Sequence, residues 1–388
     1  MDVAYTDKYF TKTRNCLDDE TMATYGVFLR RDVICAVNIA IEFLTAEVPD
    51  AVVQRHFEEG QLVPAESPLF SYTVKMKDVV ELETRLLQRV GFSCVSAYNA
   101  FKMAMACPEI PFLDMHARHA AGTDMVIYSG YGAYVGSRAA KMQGAKGFVG
   151  TSVDITAKYY GNTGLGTMPH ALIGYAGSTL KAVQLFLEHN PNDTMVTALV
   201  DYYGQEVTDT RQVADWWYNS DDALAKNARE TKKLGVRLDT HGGRFMDLLD
   251  YDLSVKCVGE WLHRQGEWPI VKQVMGEDAF EIASDAVRDR VRALLFGKGV
   301  SAAAIIYMKQ CLVKFGYPDV QIVASSGFNL RKCRIMANAR APIDMIGTGS
   351  FLPETLSETY ATADIYAYNG VFSVKVGREG VFRPVFGK

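Results

Sequence analysis

Gly164-Leu-Gly-Thr-Met-Pro-His-Ala-Leu-Ile173 is the stretch from which the fold can be read. A short apolar piece runs into Gly166-Thr167, Pro169 and His170 follow, and an apolar-periodic run continues to about Leu187. That order predicts a strand, a tight turn and a helix N-terminus, with His170 in the first helical turn. A helix start offers unpaired backbone N–H groups and the positive end of the peptide dipole. It is a ready anion site, and a histidine there can handle protons or phosphoryl groups. The plainer reading makes Thr167 an N-cap and His170 a surface residue, and the local sequence leaves both open.

Outward from this stretch, runs of strand length alternate with helical segments. They are 147–150, 165–167, 195–200, 235–238, 320–324 and 343–346. Alternating strands and helices predict a parallel sheet, here long enough to close into an α/β barrel over residues 113–354. Residues 240–300 interrupt the alternation with charged, helical sequence carrying Trp261 and Trp268. The chain before residue 113 has another character. Apolar positions at 27, 33, 34, 37, 41 and 44 predict a helix over 27–46, alternation predicts a strand over 69–76, and 78–106 reads as a second helix. The expected domains are thus an α+β sandwich over 1–112 and the barrel. A C-terminal hairpin around Asn369-Gly370 is expected to return to the first domain with residues 355–388.

Composition narrows the function. The chain has 388 residues, is 48% hydrophobic and carries a formal net charge of −4. That suffices for two full cores, and the mild acidity argues against nucleic acid or a membrane surface as the main partner. The first ten residues lack a basic stretch followed by an apolar one, so the reading is cytoplasmic. Seven scattered cysteines without CxxC spacing predict reduced thiols and no structural zinc.

Chemistry collects at the strand ends, where parallel barrels place their active sites. There stand Gly150-Thr151-Ser152, Gly166-Thr167 with His170, Asp201, Asp239, Ser325-Ser326-Gly327 and Gly347-Thr348-Gly349. The last two runs can wrap a phosphate with backbone N–H and hydroxyl groups, although each alone is also ordinary turn chemistry. Asp201 and Asp239 can hold Mg²⁺ or accept from sugar hydroxyls, or they can be N-caps. Arg237 lies inside a buried strand, where a charge needs a partner. Alternation points it the same way as Asp239, which suits an anionic ligand; a structural ion pair with Asp201 is the alternative. Arg118, between His116 and His119, is a second anion contact. No lysine stands at a strand end, which argues against Schiff-base chemistry. Together these residues describe an enzyme of phosphorylated sugars.

The same motifs, in the same order, resemble the nicotinate phosphoribosyltransferase family, and most closely its shorter, archaeal-type branch. They are Gly-Thr-Met-Pro-His-Ala-Leu (166–172), Val-Arg-Leu-Asp-Thr (236–240), Gly-Thr-Ser (150–152), Ser-Ser-Gly (325–327) and Gly-Thr-Gly (347–349). Tyr9-Phe-Thr-Lys-Thr13 resembles the family's N-terminal segment, and Thr362-Ala-Asp364 with Val374-Lys-Val-Gly-Arg378 its closing hairpin. The resemblance implies a type II phosphoribosyltransferase fold: an irregular TIM-like barrel beside an N-terminal sandwich. It implies transfer of phosphoribose from phosphoribosyl pyrophosphate to nicotinate, giving nicotinate mononucleotide for NAD biosynthesis, with Mg²⁺ and with ATP as co-substrate. It implies that His170 is the phosphorylatable residue, that Arg237 and Asp239 contact substrate and ribose, and that Asp201 lies near the histidine and the metal. Arg118 corresponds to a family arginine at the substrate. It further implies a homodimer, with Tyr9 reaching the neighbouring subunit's site. Substrate contacts are thus expected at Tyr9, Arg118, Thr151, Ser152, Thr167 and Arg237, and phosphate contacts at Ser326, Gly327, Gly347, Thr348 and Gly349. Met115-His116 stands where the family usually has Phe-Gly, and Thr240-His-Gly-Gly243 where it has Ser-Gly-Asp. The family's C-terminal cysteine cluster is absent. The alternatives are a relative using quinolinate or nicotinamide, and a non-catalytic ligand-binding relative.

Overall fold

A computed structural model describes residues 3–387. Its strands are β1 (Met22–Leu29), β2 (Val33–Ile34), β3 (Val52–Arg55), β4 (Leu62–Val63), β5 (Phe70–Lys75), β6 (Phe112–Asp114) and β7 (Phe148–Thr151). There follow β8 (Met195–Leu199), β9 (Lys233–Leu238), β10 (Gln321–Ala324), β11 (Met345–Thr348), β12 (Ala361–Tyr368) and β13 (Val371–Phe372). The chain divides into two compact units, one of residues 1–105, 116–163 and 351–388, the other of 106–115 and 164–350.

The first unit carries an antiparallel sheet in the order β13-β12-β1-β5-β3. Its core joins Tyr25, Val27 and Leu29 of β1 to Phe70, Tyr72 and Val74 of β5 and to Leu86, Val90 and Cys94 of the helix Glu83–Ala106. The C-terminal hairpin turns at Asn369-Gly370 as expected, and β12 pairs with β1 along its length. Arg378 Nε lies 3.1 Å from Asp364 Oδ2, which ties together the two pieces of the closing segment. Residues 116–163 belong to this unit and not to the barrel segment expected from residue 113. The helix Thr123–Lys141 explains why: Tyr131, Val135 and Ala139 sit in the sandwich core, and Gly132 and Gly136 lie against the backbone of Ser93 and Ala97.

The expected helix over 27–46 is corrected. Residues 22–29 form the central strand of the sheet, and a helix begins only at Asn38. β1 is buried on both faces from Tyr25 onward, so its apolar run carries no alternation to mark it as a strand.

The second unit carries five parallel strands in the order β6-β11-β10-β9-β8. The expected fold class holds: one unit carries an α/β barrel sheet, and the other an antiparallel sandwich that the C-terminal hairpin completes. The expected strand at 165–167 does not form. Two glycines and the half-exposed Leu165 supply too little β-forming or buried surface, and 164–169 run as irregular chain. The helix expected to run to Leu187 is interrupted as well. It covers His170–Ala176, stops at Gly177 in the left-handed conformation (φ 78°), and restarts as Thr179–His189 capped by Ser178. Of the segment 240–300 expected to be helical, residues 240–250 are irregular and the helices run from Tyr251 to Phe296. These helices pack against Ala302–Phe315 and Leu330–Asn338, and Asn338 Nδ2 donates to Val274 O at 2.8 Å.

Candidate active site

Strand register lines up the candidate residues. Leu199 is level with Arg237, Arg237 with Val323, and Val323 with Met345. Two residues further on, Asp201, Asp239 and Ser325 stand in one row past the ends of β8, β9 and β10, level with Gly347 near the end of β11. Ser325 N donates to Leu238 O at 3.0 Å, which extends the ladder into this row.

Contacts run along the row. Ser325 Oγ donates to Asp239 Oδ1 at 2.9 Å, and Arg237 Nη2 lies 3.7 Å from Asp239 Oδ2. Arg237 and Asp239 therefore do face one way, and the ion pair Arg237 makes is with Asp239 rather than Asp201. Arg237 also donates to the hydroxyl of Thr167, which fixes the irregular stretch ahead of His170. Thr167 is thus no N-cap; that place is taken by Pro169.

His170 Nε2 lies 3.0 and 3.1 Å from the two oxygens of Asp201. A carboxylate only accepts, so Nε2 carries the hydrogen of this pair, and Nδ1 takes no part in it. The Asp201 side chain is 8% exposed and that of His170 44%, so a buried acid orients an accessible imidazole. Tyr202 stands beside it, with ring centroids 6.2 Å apart. Neither Asp201 nor Asp239 caps a helix: the next helices begin at Glu206, behind Gln205, and at Tyr251, behind Asp250.

The cradle after β10 is held in an uncommon backbone. Ser326 (φ 75°) and Gly327 (φ 67°) are both left-handed, and a serine in that region is strained unless its surroundings enforce it. What enforces it here is Lys332. From the first turn of the helix Leu330–Asn338 it folds back, and its Nζ donates to Ser326 O at 2.7 Å. After β11, Thr348 Oγ1 donates to Phe328 O at 2.8 Å and accepts from Ser350 N at 3.0 Å, so its hydroxyl braces the cradle. Gly347 stays small for a reason: a Cβ there would stand 2.7 Å from the Met115 thioether. Met115 packs onto the row, while the buried His116 turns away, its Nε2 bonded to Val126 O at 3.1 Å.

Two functional residues were missed in the sequence. Lys332 was one: no lysine stands at a strand end, as expected, but this one reaches the loop after β10 from the helix Leu330–Asn338. Burial pushes its ammonium down to about 8 against the pull of Asp239, and the Phe328 ring lies 4.3 Å from Nζ. The signal was there: a lysine in the first turn of a helix opposes the dipole. Glu206 was the other. Fully buried, it accepts from Thr240 Oγ1 at 2.7 Å and Asp247 N at 3.1 Å, and it holds Arg244 at 2.7 Å. Arg244 in turn donates to Asp201 O at 2.9 Å. Thr240, where the sequence departs from the family pattern, is one leg of this brace.

The remaining candidates lie in the first unit. Thr151 is buried, accepting from Thr156 Oγ1 at 3.1 Å; Ser152 is exposed. Arg118 is exposed, with Nε 3.2 Å from His119 Nε2. Tyr9 lies on the helix Lys8–Arg14 and is 60% exposed.

No family model matches the sequence, and no curated protein matches it. Solved structures do match. A nicotinate-nucleotide pyrophosphorylase from Pyrococcus furiosus is 18% identical, over 97% of this chain and 78% of that one, with a TM-score of 0.65. The human nicotinic acid phosphoribosyltransferase is 17% identical, over 96% and 76% of the two chains, with a TM-score of 0.55. The chain has the type II phosphoribosyltransferase fold. A nicotinate-nucleotide pyrophosphorylase from Ehrlichia chaffeensis, 13% identical, shares it over 91% of this chain and 92% of its own, with a TM-score of 0.54. Asp201, Asp239 and Ser325 directly follow β8 (through Val200), β9 and β10, at the C-terminal strand ends where parallel α/β barrels place their sites.

Proposed function

We propose that the protein is a nicotinate phosphoribosyltransferase, forming nicotinate mononucleotide and pyrophosphate from nicotinate and phosphoribosyl pyrophosphate. The observation that carries this reading is the single row of Asp201, Asp239 and Ser325 at the strand ends, joined to His170 and Arg237. In the reaction the pyridine nitrogen bonds to the anomeric carbon as the carbon–oxygen bond to pyrophosphate breaks. The bonding pair leaves with pyrophosphate, and no proton from the protein is required. The protein's task is placement and charge. Ser326, Gly327, Gly347, Thr348 and Gly349 cradle the 5′-phosphate, and Lys332 both holds the cradle's shape and offers it a positive charge. Asp239 accepts from the ribose hydroxyls. Arg237 or Arg118 takes the nicotinate carboxylate.

The hard oxygen donors of Asp201 and Asp239 fit Mg²⁺, which takes one or two carboxylates and completes its shell with substrate oxygens and water. Such an ion would supply charge neutralisation on the leaving pyrophosphate. His170, with Nδ1 free of Asp201, is the group to be phosphorylated by ATP. The family resemblance of Tyr9-Phe-Thr-Lys-Thr13 and the 60% exposure of Tyr9 support a dimer in which Tyr9 serves the neighbouring subunit. The nicotinate-nucleotide pyrophosphorylases among the structural likenesses support a second reading, the same transfer to another pyridine acid.

The test is pyrophosphate release from phosphoribosyl pyrophosphate and Mg²⁺ with nicotinate, quinolinate or nicotinamide, with and without ATP. Nicotinate is expected to release it, and ATP to speed the release. No release with any of the three would overturn the phosphoribosyl reading. ATP stimulation that survives in His170→Ala would overturn the coupling role alone.

A further inference from the structure

The first unit holds a cavity of about 540 Å³ with Tyr9, Tyr25, Glu83, Asp364, Tyr368 and Lys375 on its wall, and of these the proposed reaction uses only Tyr9, toward the neighbouring subunit. Two of these groups have no partner. Tyr25 is 3% exposed, stacked on Tyr72 at 4.8 Å, and its buried hydroxyl makes no hydrogen bond. Glu83, first residue of the helix Glu83–Ala106, pairs with no cation among the described residues. A native interior rarely leaves a hydroxyl unpaired, and a carboxylate out of water calls for a counter-ion.

The sign of the site follows from its neighbours. Asp7 and Asp364 both face Glu83, and with burial they push its carboxyl up to about 7. The phenols of Tyr9, Tyr25 and Tyr72 are raised in part by Glu83. Arg378 is engaged by Asp364, which leaves Lys375 as the cation on the wall. An anion entering here would meet the carboxylates of Glu83 and Asp364. A cation would meet an unpaired carboxylate, an unpaired hydroxyl and the faces of tyrosine rings, which attract positive charge. The volume is ordinary for a small-molecule site.

We propose that this cavity binds a small organic ammonium ion, an amine with a compact aromatic or aliphatic body, using the Glu83 carboxylate as counter-ion and the Tyr25 hydroxyl as acceptor. The inference is independent of the phosphoribosyl reading and does not fail with it.

The experiment is calorimetric titration of the full-length protein with phenethylamine, its neutral isostere 2-phenylethanol and the anion 3-phenylpropionate. Phenethylamine is expected to bind at least tenfold more tightly than either of the others. Glu83→Gln is expected to weaken it at least tenfold and Tyr25→Phe several-fold, with circular dichroism unchanged. Between pH 6 and pH 8 the wild-type affinity for the amine should rise about tenfold, as Glu83 ionises around 7. Equal binding of the alcohol or the carboxylate would overturn the proposal. So would amine affinity that is untouched in both variants. Failure of phenethylamine to bind, together with a change of oligomeric state in Glu83→Gln, would overturn it too, by assigning the cavity to a side chain of a second copy.

Discussion

Replacing Lys332 by methionine is expected to stabilise the protein while weakening its hold on phosphate. The ammonium is 7% exposed, and its value falls from the ordinary 10.5 to about 8. At about 1.4 kcal/mol per pH unit, keeping that charge buried costs the fold about 3 kcal/mol at neutral pH. Losing the bond to Ser326 O returns about 1 kcal/mol of that gain, since methionine leaves the carbonyl without its donor. The net expectation is about 2 kcal/mol of added stability at pH 7, read from the midpoint of urea unfolding. The pH dependence has a definite sign. Because the folded value lies below the unfolded one, the unfolded chain holds more protons between about pH 8 and 10.5. Wild-type stability therefore climbs across that window, and the cost is fully present below pH 8. The variant should lack the climb. In the same variant, affinity for phosphoribosyl pyrophosphate should fall by about ten- to a hundredfold, the loss of one charge-assisted contact of about 1.5–3 kcal/mol. A variant that unfolds at lower urea, or one that binds the sugar phosphate as well as wild type, would refute the reasoning.

Glu206→Gln breaks a fully buried carboxylate away from Arg244 and should cost about 3 kcal/mol of stability, less than a fully desolvated pair because Arg244 is partly exposed. It should also slow pyrophosphate release, since Arg244 holds the Asp201 carbonyl; a loss below about 0.5 kcal/mol in urea unfolding would count against the brace. Gly136→Ala sets two effects against each other. Helix propensity favours alanine by about 1 kcal/mol, but the new Cβ would stand 2.0 Å from the Ala97 carbonyl oxygen, a backbone atom that cannot rotate away. Overpacking should win by about 2 kcal/mol, seen as a lower thermal midpoint.

What could be read beforehand, and what could not, divides on physical lines. β8, β9, β10 and β11 were legible because each is a short apolar run ending in small or polar residues, and the ends of parallel strands carry the chemistry. Arg237 and Asp239 were legible as a pair because side chains two apart in a strand point one way. β1 was hidden because a strand buried on both faces has no alternation, and its apolar positions mimic a helical period with those after it. The strand expected at 165–167 rests on one leucine and a turn, too little without a paired neighbour. Glu206 acts through bonds to residues far off in the chain, 34 positions in the case of Thr240, which no local pattern records; Lys332 acts only six positions back, on Ser326 O, through a fold of the loop that no period or motif records.

The pairing of β1 with β12 bears on how the protein comes to exist at all. Ala23 is opposite Tyr368, so the central strand of the first unit waits for a partner that lies 345 positions further along the chain (368 − 23). Until then β1 presents an open edge of unpaired N–H and C=O groups, flanked on one side only by β5. Pairing at so long a sequence separation is slow, and an uncovered apolar edge during that wait is an aggregation hazard. The whole second unit is made inside this interval. Its order of synthesis therefore favours a barrel segment that folds on its own before the sandwich closes. Chains that stop before residue 361 would leave the sandwich's central strand permanently open.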